Sequence, residues 1–282
     1  NMTVLAVGQQ LLLQSDPMGL QLFALTSILV SLAAVPVLLS IQAAPRNVER
    51  SALDFRALFR NSPVAVTGTF TAGLNAGMFW ALGAVFVAAY SDDDRVTAWF
   101  MTIVILGGAL GQWPLGWWSD RVDRRWVLMT VGALGTGVSL LAWWLGPGLG
   151  LTGLLGLGFA WGALAFPTYS IAVAHANDCA EPATFVQVSA SLLLLYGVGA
   201  IIGPLLAPWF MDTLGPSGMY LYNAVIFTVM TGFVLWRMRR RLRPDAHEQN
   251  FGESLAAAVT VSSAFEQEME EAEEKAPVRA QP

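Results

Sequence analysis

Charged side chains punctuate this chain only at long intervals. Six stretches contain no Asp, Glu, Lys or Arg: 17–45, 61–91, 96–119, 126–177, 182–211 and 213–236. About 20 predominantly apolar residues cross the hydrocarbon core of a bilayer as a helix. Five of the runs therefore each fit one transmembrane helix, and 126–177, with 52 residues, fits two. The pattern predicts an all-α, polytopic transmembrane helical bundle, with helices near 18–42, 63–90, 96–118, 126–146, 149–174, 185–211 and 216–236. A further apolar stub at 2–14 is too short to cross, and no basic residue precedes it as a signal peptide requires. It reads as the end of a helix that begins upstream.

Seven crossings force the connecting loops onto alternating sides, which the arginines test independently. Arg46, Arg50, Arg56 and Arg60 fall in one loop, Arg121, Arg124 and Arg125 in another, and Arg237, Arg239, Arg240, Arg241 and Arg243 follow the last helix. All of these land on one side; only Arg95, in the acidic turn Ser91-Asp92-Asp93-Asp94-Arg95, lands on the other. Basic residues collect on the cytoplasmic face, so the expected localisation is multi-pass in the plasma membrane, the inner membrane of a bacterium, with the C-terminus cytoplasmic.

Composition sharpens this. Only 12% of residues are charged and 55% are apolar, against about 25% charged in soluble domains, which argues against a water-soluble enzyme. The net charge of −5 is a property of the tail: residues 1–243 carry +2 and residues 244–282 carry −7. That tail, with its run of glutamates from Glu266 to Glu274, reads as a solvated, disordered end. The single cysteine, Cys179, excludes an internal disulfide and a cysteine-based metal cluster. No metal or cofactor is expected, and no nucleic-acid partner. Within the connection 43–62, Phe55, Leu58 and Phe59 recur at helical spacing with Arg56 and Arg60 on another face. This predicts a short amphipathic helix along the inner membrane surface, the alternative being a plain linker with one helical turn.

One segment carries a family signature. Gly116-Trp117-Trp118-Ser119-Asp120-Arg121-Val122-Asp123-Arg124-Arg125 resembles the inner-loop motif of the major facilitator superfamily, approximately G-x-x-x-D-R-x-G-R-R, with Asp123 where the family more often has Gly. If this is the loop after the family's eighth helix, the other segments take consistent places. Residues 1–42 become the end of the fifth helix and the sixth; 43–62 becomes the cytoplasmic link between halves. Residues 63–243 become the C-terminal six-helix half, helices seven to twelve, and 244–282 the tail. The element Gly199-Ala200-Ile201-Ile202-Gly203-Pro204 is similar to the G-x-x-x-G-P element of the family's eleventh helix.

The charges of the loop admit two physical readings. A carboxylate among guanidinium groups at the membrane edge can latch two helix ends and release them when they separate; the bland reading is a loop anchor that caps the next helix. The resemblance implies the first, with Gly116, Asp120, Arg121, Arg124 and Arg125 as the conformational latch and Asp120 paired to Arg121 and Arg125.

Polar residues inside apolar spans mark buried faces. The resemblance implies that the seventh and tenth helices line a central cavity and the eighth and eleventh flank it. Thr71, Asn75, Trp80, Trp161 and Tyr169 are then solute-contact candidates, with Gln112, Gln187, Ser191 and Tyr196 flanking; for each, the alternative is an interhelical hydrogen bond or core packing. Gly199, Gly203 and Pro204 form a candidate hinge, and Pro114, Pro167 and Pro208 are further bend sites or static kinks.

The predicted spans contain no internal carboxylate, the usual proton carrier of coupled transporters. The reading favoured overall is a secondary transporter moving a small-molecule solute by alternating access, with no catalytic residues, embedded in the bilayer and completed by an N-terminal half of the same protein. Its oligomeric state is open. A seven-helix receptor shares the helix count but leaves the Asp-Arg-Arg loop unexplained. A membrane enzyme using His175 and Asp178 lacks a Ser or metal partner at helical spacing.

Overall fold

A computed structural model describes residues 2–10, 20–39, 55–181 and 184–240. Every regular element among them is helical. In chain order these are α1 (Met2–Gln10), α2 (Leu20–Leu39), α3 (Phe55–Asn61), α4 (Pro63–Ala88), α5 (Asp94–Ser119), α6 (Arg124–Leu145), α7 (Gly150–Ala165), α8 (Pro167–Asp178), α9 (Phe185–Leu214) and α10 (Gly218–Arg240). Six membrane-length apolar helical segments follow: α4, α5, α6, the α7–α8 pair, α9 and α10. The protein is an all-α polytopic membrane bundle. Arg46, Arg50, Arg241, Arg243, most of the 43–62 connection and the tail from 244 lie outside the described residues.

The helix ends follow local chemistry. Asp93 accepts the Arg95 backbone N–H at 2.9 Å and starts α5, and Asp123 does the same for Arg125 at 3.0 Å at the start of α6, satisfying donors that a first turn leaves orphaned. Both helices therefore begin two residues earlier than the apolar pattern alone predicts. Helix α9 continues past Asp212 to Leu214 and stops at Gly215, whose φ of 80° suits a residue without a Cβ.

The expected single helix at 149–174 is instead two. Pro167 cannot donate to the carbonyl four residues earlier, and its ring crowds that turn, so α7 ends at Ala165, Phe166 forms the joint and α8 restarts with Pro167 in its first position. Pro114, Pro204 and Pro208 lie inside helices that remain continuous.

Helix α2, the first of the seven expected segments, is apolar, and almost every described side chain on it is exposed, among them Phe23, Ile28 and Val30. Helix α3 falls within the predicted amphipathic stretch. Leu58 is buried against Ala65, Ala176 and Leu192, while Phe55 and Phe59 remain exposed. The Ser62 N–H donates to the Leu58 carbonyl at 2.8 Å, so α3 runs almost directly into α4.

The bundle is assembled from three intimate helix pairs: α4 with α9, α5 with α7, and α6 with α10. In the first, a methyl group on Gly73 or Gly77 would overlap the backbone carbonyl oxygen of Tyr196 or Ala200, and one on Gly203 that of Leu74. In the second, Gly107 and Gly111 press on the carbonyls of Phe159 and Ala163, and Gly162 on that of Val104. Between lipid-immersed helices, where lipid tails are as apolar as the side chains, close backbone approach is a principal source of attraction. The third pair seats Phe227 against Gly135 and links Thr136 to Thr228 at 3.3 Å. Large apolar side chains such as Leu110, Trp113, Ile201, Leu205 and Val229 point outwards, as a lipid-facing surface requires and a watery one would not tolerate.

Many hydroxyls within the spans are satisfied locally, although those of Thr69, Ser139, Tyr220 and Tyr222 are buried without a partner among the described residues. Thr102, Thr130, Thr136, Thr168, Ser191, Thr228 and Thr231 each donate to the carbonyl four residues earlier, the usual solution where water is scarce.

Candidate functional site

Two features stand out: a cavity near mid-span and a charge cluster at the end of the bundle that carries most of the arginines.

The cavity, about 260 Å³, lies between the α4–α9 pair and the α5–α7–α8 wall. Asn75 and the small Ala72 and Ala76 come from α4, Gln112 from α5, Trp161 and Ala165 from α7, Phe166 from the joint, Tyr169 and Ser170 from α8, and Leu193 and Tyr196 from α9. Tyr169 and Tyr196 meet edge to face at 5.0 Å, closing one side. Phe79 stands 5.6 Å from both Trp161 and Phe166. Asn75 is 1% exposed, and neither its Nδ2 nor its Oδ1 has a hydrogen-bond partner among the described residues; the same holds for Trp161 Nε1.

Of the sequence candidates, Asn75, Gln112, Trp161, Tyr169 and Tyr196 are brought together on this wall. Thr71, Trp80, Gln187 and Ser191 are not. Thr71 is buried away from the cavity, and Trp80 is 42% exposed with its ring edge on Phe79 at 5.1 Å. Gln187 lies in the first turn of α9, where its carbonyl accepts the Ser191 hydroxyl at 2.8 Å. Phe166, Ser170, Leu193 and the three alanines were not anticipated. The Ala72, Asn75, Ala76 spacing is the signal that could have found two of them, since i, i+3 and i+4 share a helix face.

At the arginine end, Arg124 draws three groups together. Its Nε donates to Asp178 Oδ2 at 2.6 Å, and its Nη1 donates to Asp120 Oδ1 at 3.1 Å and to Ser119 Oγ at 3.0 Å. Asp178 ends α8 and Asp120 caps α5, so one guanidinium ties two helix ends to the start of α6. This corrects the expected pairing of Asp120 with Arg121 and Arg125. Arg121 instead folds back on its own helix, donating to the Trp117 carbonyl at 3.0 Å with its guanidinium 3.8 Å from the Trp117 ring centre. Arg125, 7% exposed, is held by Asp123 through Nε and Nη2, the latter at 2.8 Å. Gly116 is a partly buried position in the last turn of α5 where an added Cβ would meet nothing. His175 is buried near this cluster, and Asp178 is committed to Arg124, which leaves that pair no free carboxylate for acid–base work.

Asp123, the departure from the family pattern, thus has two tasks. Its backbone has φ −56° and ψ 119°, an ordinary conformation for a capping residue that needs no glycine. Burial raises the Asp123 carboxyl, but the hydrogen bonds and charge of Arg125 outweigh that and hold it below its ordinary value of 3.8. A depressed carboxylate contributes stability that is present above its unfolded pKa and is lost as pH falls through the folded one. Asp123→Ala is expected to cost about 1–3 kcal/mol, losing the cap and leaving Arg125 unpaired. Asp123→Asn should retain the cap and lose only the ionic part, and its thermal stability should no longer decline between pH 5 and pH 3 to the extent that the parent's does. Equal stability of the Ala and Asn variants would exclude the capping role.

A bundle of membrane-length helices enclosing a mid-span cavity, with a charge cluster clasping helix ends at one face, defines a polytopic membrane protein of all-α class. The Major Facilitator Superfamily model matches residues 65–268, and the chain belongs to that superfamily. It is 25% identical over 200 residues to the uncharacterized MFS-type transporter YcaD of Salmonella typhi, covering 70% of this chain and 50% of that protein. It is 26% identical over 191 residues to the YcaD of Salmonella arizonae, covering 67% and 48%. The chain spans about half the length of the curated relatives it matches.

Proposed function

We propose that this chain is the C-terminal portion of a secondary transporter that moves a small solute by alternating access, and that its cavity is one wall of the solute path. The observation that carries this reading is the pair of buried groups in the cavity wall, the Asn75 amide and the Trp161 indole N–H, which have no hydrogen-bond partner among the described residues. Other buried polar atoms in the spans, among them the Thr69, Ser139, Tyr220 and Tyr222 hydroxyls, also lack a partner among the described residues, but of the unpartnered groups only those of Asn75 and Trp161 belong to residues that line the cavity.

In this reading α1 and α2 are the end of the fifth helix and the sixth, residues 43–62 are the link between halves, 63–243 form the C-terminal half, and 244–282 are the cytoplasmic tail. The complementary wall belongs to an N-terminal half. Helix α1 packs on α5, with Ala6 buried and Gln10 Nε2 donating to Thr102 Oγ1 at 2.6 Å. That contact lies in the half of α5 nearest the acidic turn, so it acts as a closure of the outer side. The cavity draws on the part of α9 nearest its start, Leu193 and Tyr196, on the arginine side. The Asp120–Arg124–Asp178 cluster is the inner latch. Gly199 and Gly203 lock α9 to α4, so bending at Pro204 would move the two helices as one unit.

Cysteine labelling tests the topology and the path together. In the full-length protein with Cys179→Ser, an impermeant maleimide applied to intact cells should label Asp92→Cys and spare Val122→Cys until the cells are opened. Labelling of Val122→Cys from outside would overturn both the cytoplasmic C-terminus and the transport cycle built on it. Tyr169→Cys should label more slowly when a transported solute is saturating.

A further inference from the structure

The cavity wall is selective in what it offers. None of its described residues carries a formal charge, and four are aromatic: Trp161, Phe166, Tyr169 and Tyr196. The rings are arranged edge to face or tilted, Tyr169 on Tyr196 at 5.0 Å and 63°, Trp161 on Phe166 at 6.3 Å and 69°. Such a lining presents ring faces and edges to a flat aromatic guest, with which it can form offset or edge-to-face contacts. Ala72, Ala76 and Ala165 leave the space between the rings open.

The polar groups narrow the choice further. The spans contain two buried asparagines that treat their amides differently. Asn223 Nδ2 donates to the Met219 carbonyl at 3.1 Å, one turn back on its own helix, and only its Oδ1 lacks a partner among the described residues. Asn75 does not use that option: both ends of its amide are unpartnered, and the residue lines the cavity. An amide presents a donor and an acceptor side by side, so its natural complement is a group with an acceptor and a donor in the same spacing. The indole N–H of Trp161 adds one more donor.

We propose that the cavity takes an uncharged, planar aromatic compound bearing a hydrogen-bond donor and acceptor side by side, as in a carboxamide or lactam. Asn75 pairs with that group at both ends, Trp161 donates to a further acceptor, and the tyrosine and phenylalanine rings hold the aromatic body. This rests on the reading of the cavity as the solute path. Buried donors and acceptors discriminate strongly against an analogue that leaves them unpaired, whereas the aromatic wall alone would accept any flat apolar ring.

Three compounds sharing one ring separate these contributions: benzamide with donor and acceptor, acetophenone with the acceptor alone, and benzoate with a charge. Affinities are read from the rise in Tm of the full-length protein in nanodiscs over a concentration series. Benzamide is expected to bind at least about ten-fold more tightly than either analogue. Asn75→Ala should remove that preference while leaving acetophenone within about two-fold, which also shows that the variant is folded. Equal binding of benzamide and acceptor-only acetophenone, tightest binding of benzoate, an unchanged preference in Asn75→Ala, or no binding by any of the three would each overturn the proposal. Labelling of Tyr169→Cys distinguishes the level of failure. Protection by benzoate but not benzamide would refute the chemical class and keep the cavity as the path. A bound compound that leaves the labelling rate unchanged would refute the path itself, and the class with it.

Discussion

Gly77→Val should abolish the folded bundle, whereas Gly197→Val, on α9 and less than one turn from the Ala200 that Gly77 touches, should be nearly silent. A Cβ on Gly77 would overlap the Ala200 carbonyl oxygen and lie 2.6 Å from its Cα, both of them backbone atoms that no side-chain rotation can move aside. Relief requires α4 and α9 to separate, and the neighbouring contacts of Gly73, Gly199 and Gly203 on the same seam would be lost with it. Overpacking a rigid contact costs about 1–3 kcal/mol or more, and a seam whose attraction depends on close backbone approach has little else to offset the loss. The expected cost is therefore about 3 kcal/mol or more, seen as loss of the monodisperse peak in size-exclusion chromatography and of a cooperative thermal transition. Gly197 sits on α9 where an added Cβ meets nothing within 4 Å, so its substitution should stay within about 0.5 kcal/mol. A stable, monodisperse Gly77→Val protein would mean that α4 and α9 are not in register as described.

Much of this architecture is legible in the sequence because charge is excluded from the spans so consistently. Helices α4, α5, α6, α9 and α10 begin and end within about four residues of the expected positions. The errors have specific causes. The acidic caps Asp93 and Asp123 extend helices towards the charged turn, where an apolar pattern has already stopped. Asp212 looks like a boundary and is not, since an exposed carboxylate can stay on the last turn until Gly215 ends the helix. The break at Phe166 depends on how the chain resolves Pro167, and the same residue type is absorbed in α9 without a break.

The cavity was only partly legible for a geometric reason. Residues advance about 100° per position around a helix, so Thr71 and Ala72 flank Asn75 at about −40° and +60°. Both share a face with it, and only packing decides that the cavity opens on the Ala72 and Ala76 side. An alanine there carries no polar signal, and Phe166 reads simply as hydrophobic. The charge cluster illustrates the same limit. Consecutive arginines point in different directions, so sequence shows that Asp120 has guanidinium neighbours without showing which one it takes, and Asp178 is 54 residues from Arg124 along the chain.

That choice of partner leads to the second large expected effect. In the transporter proposed above, Arg124→Ala should reduce transport by about ten-fold at unchanged expression, and Arg121→Ala should stay within about two-fold. Arg124 is the only residue of the motif that reaches Asp178 on α8 while also holding Asp120 and Ser119 at the end of α5. Breaking a buried pair by removing one partner costs about 3–5 kcal/mol, but Asp120 and Asp178 are 67% and 53% exposed on their side chains. Solvent screening therefore reduces the loss to about 1–2 kcal/mol. Each 1.4 kcal/mol shifts a two-state equilibrium about ten-fold, and a latch present in only one of two states transmits its whole loss to that equilibrium. Arg121 satisfies its guanidinium on Trp117 of its own helix, a contact that survives any movement between helices and so biases neither state. Asp178→Ala should show a smaller defect of the same kind, since Arg124 keeps Asp120 and Ser119, and the double variant should be no worse than Arg124→Ala alone, because the bond to Asp178 is already lost there. If Arg121→Ala proved the more damaging substitution, or if the two defects added, the link from α6 to α8 would not be the element that governs the cycle.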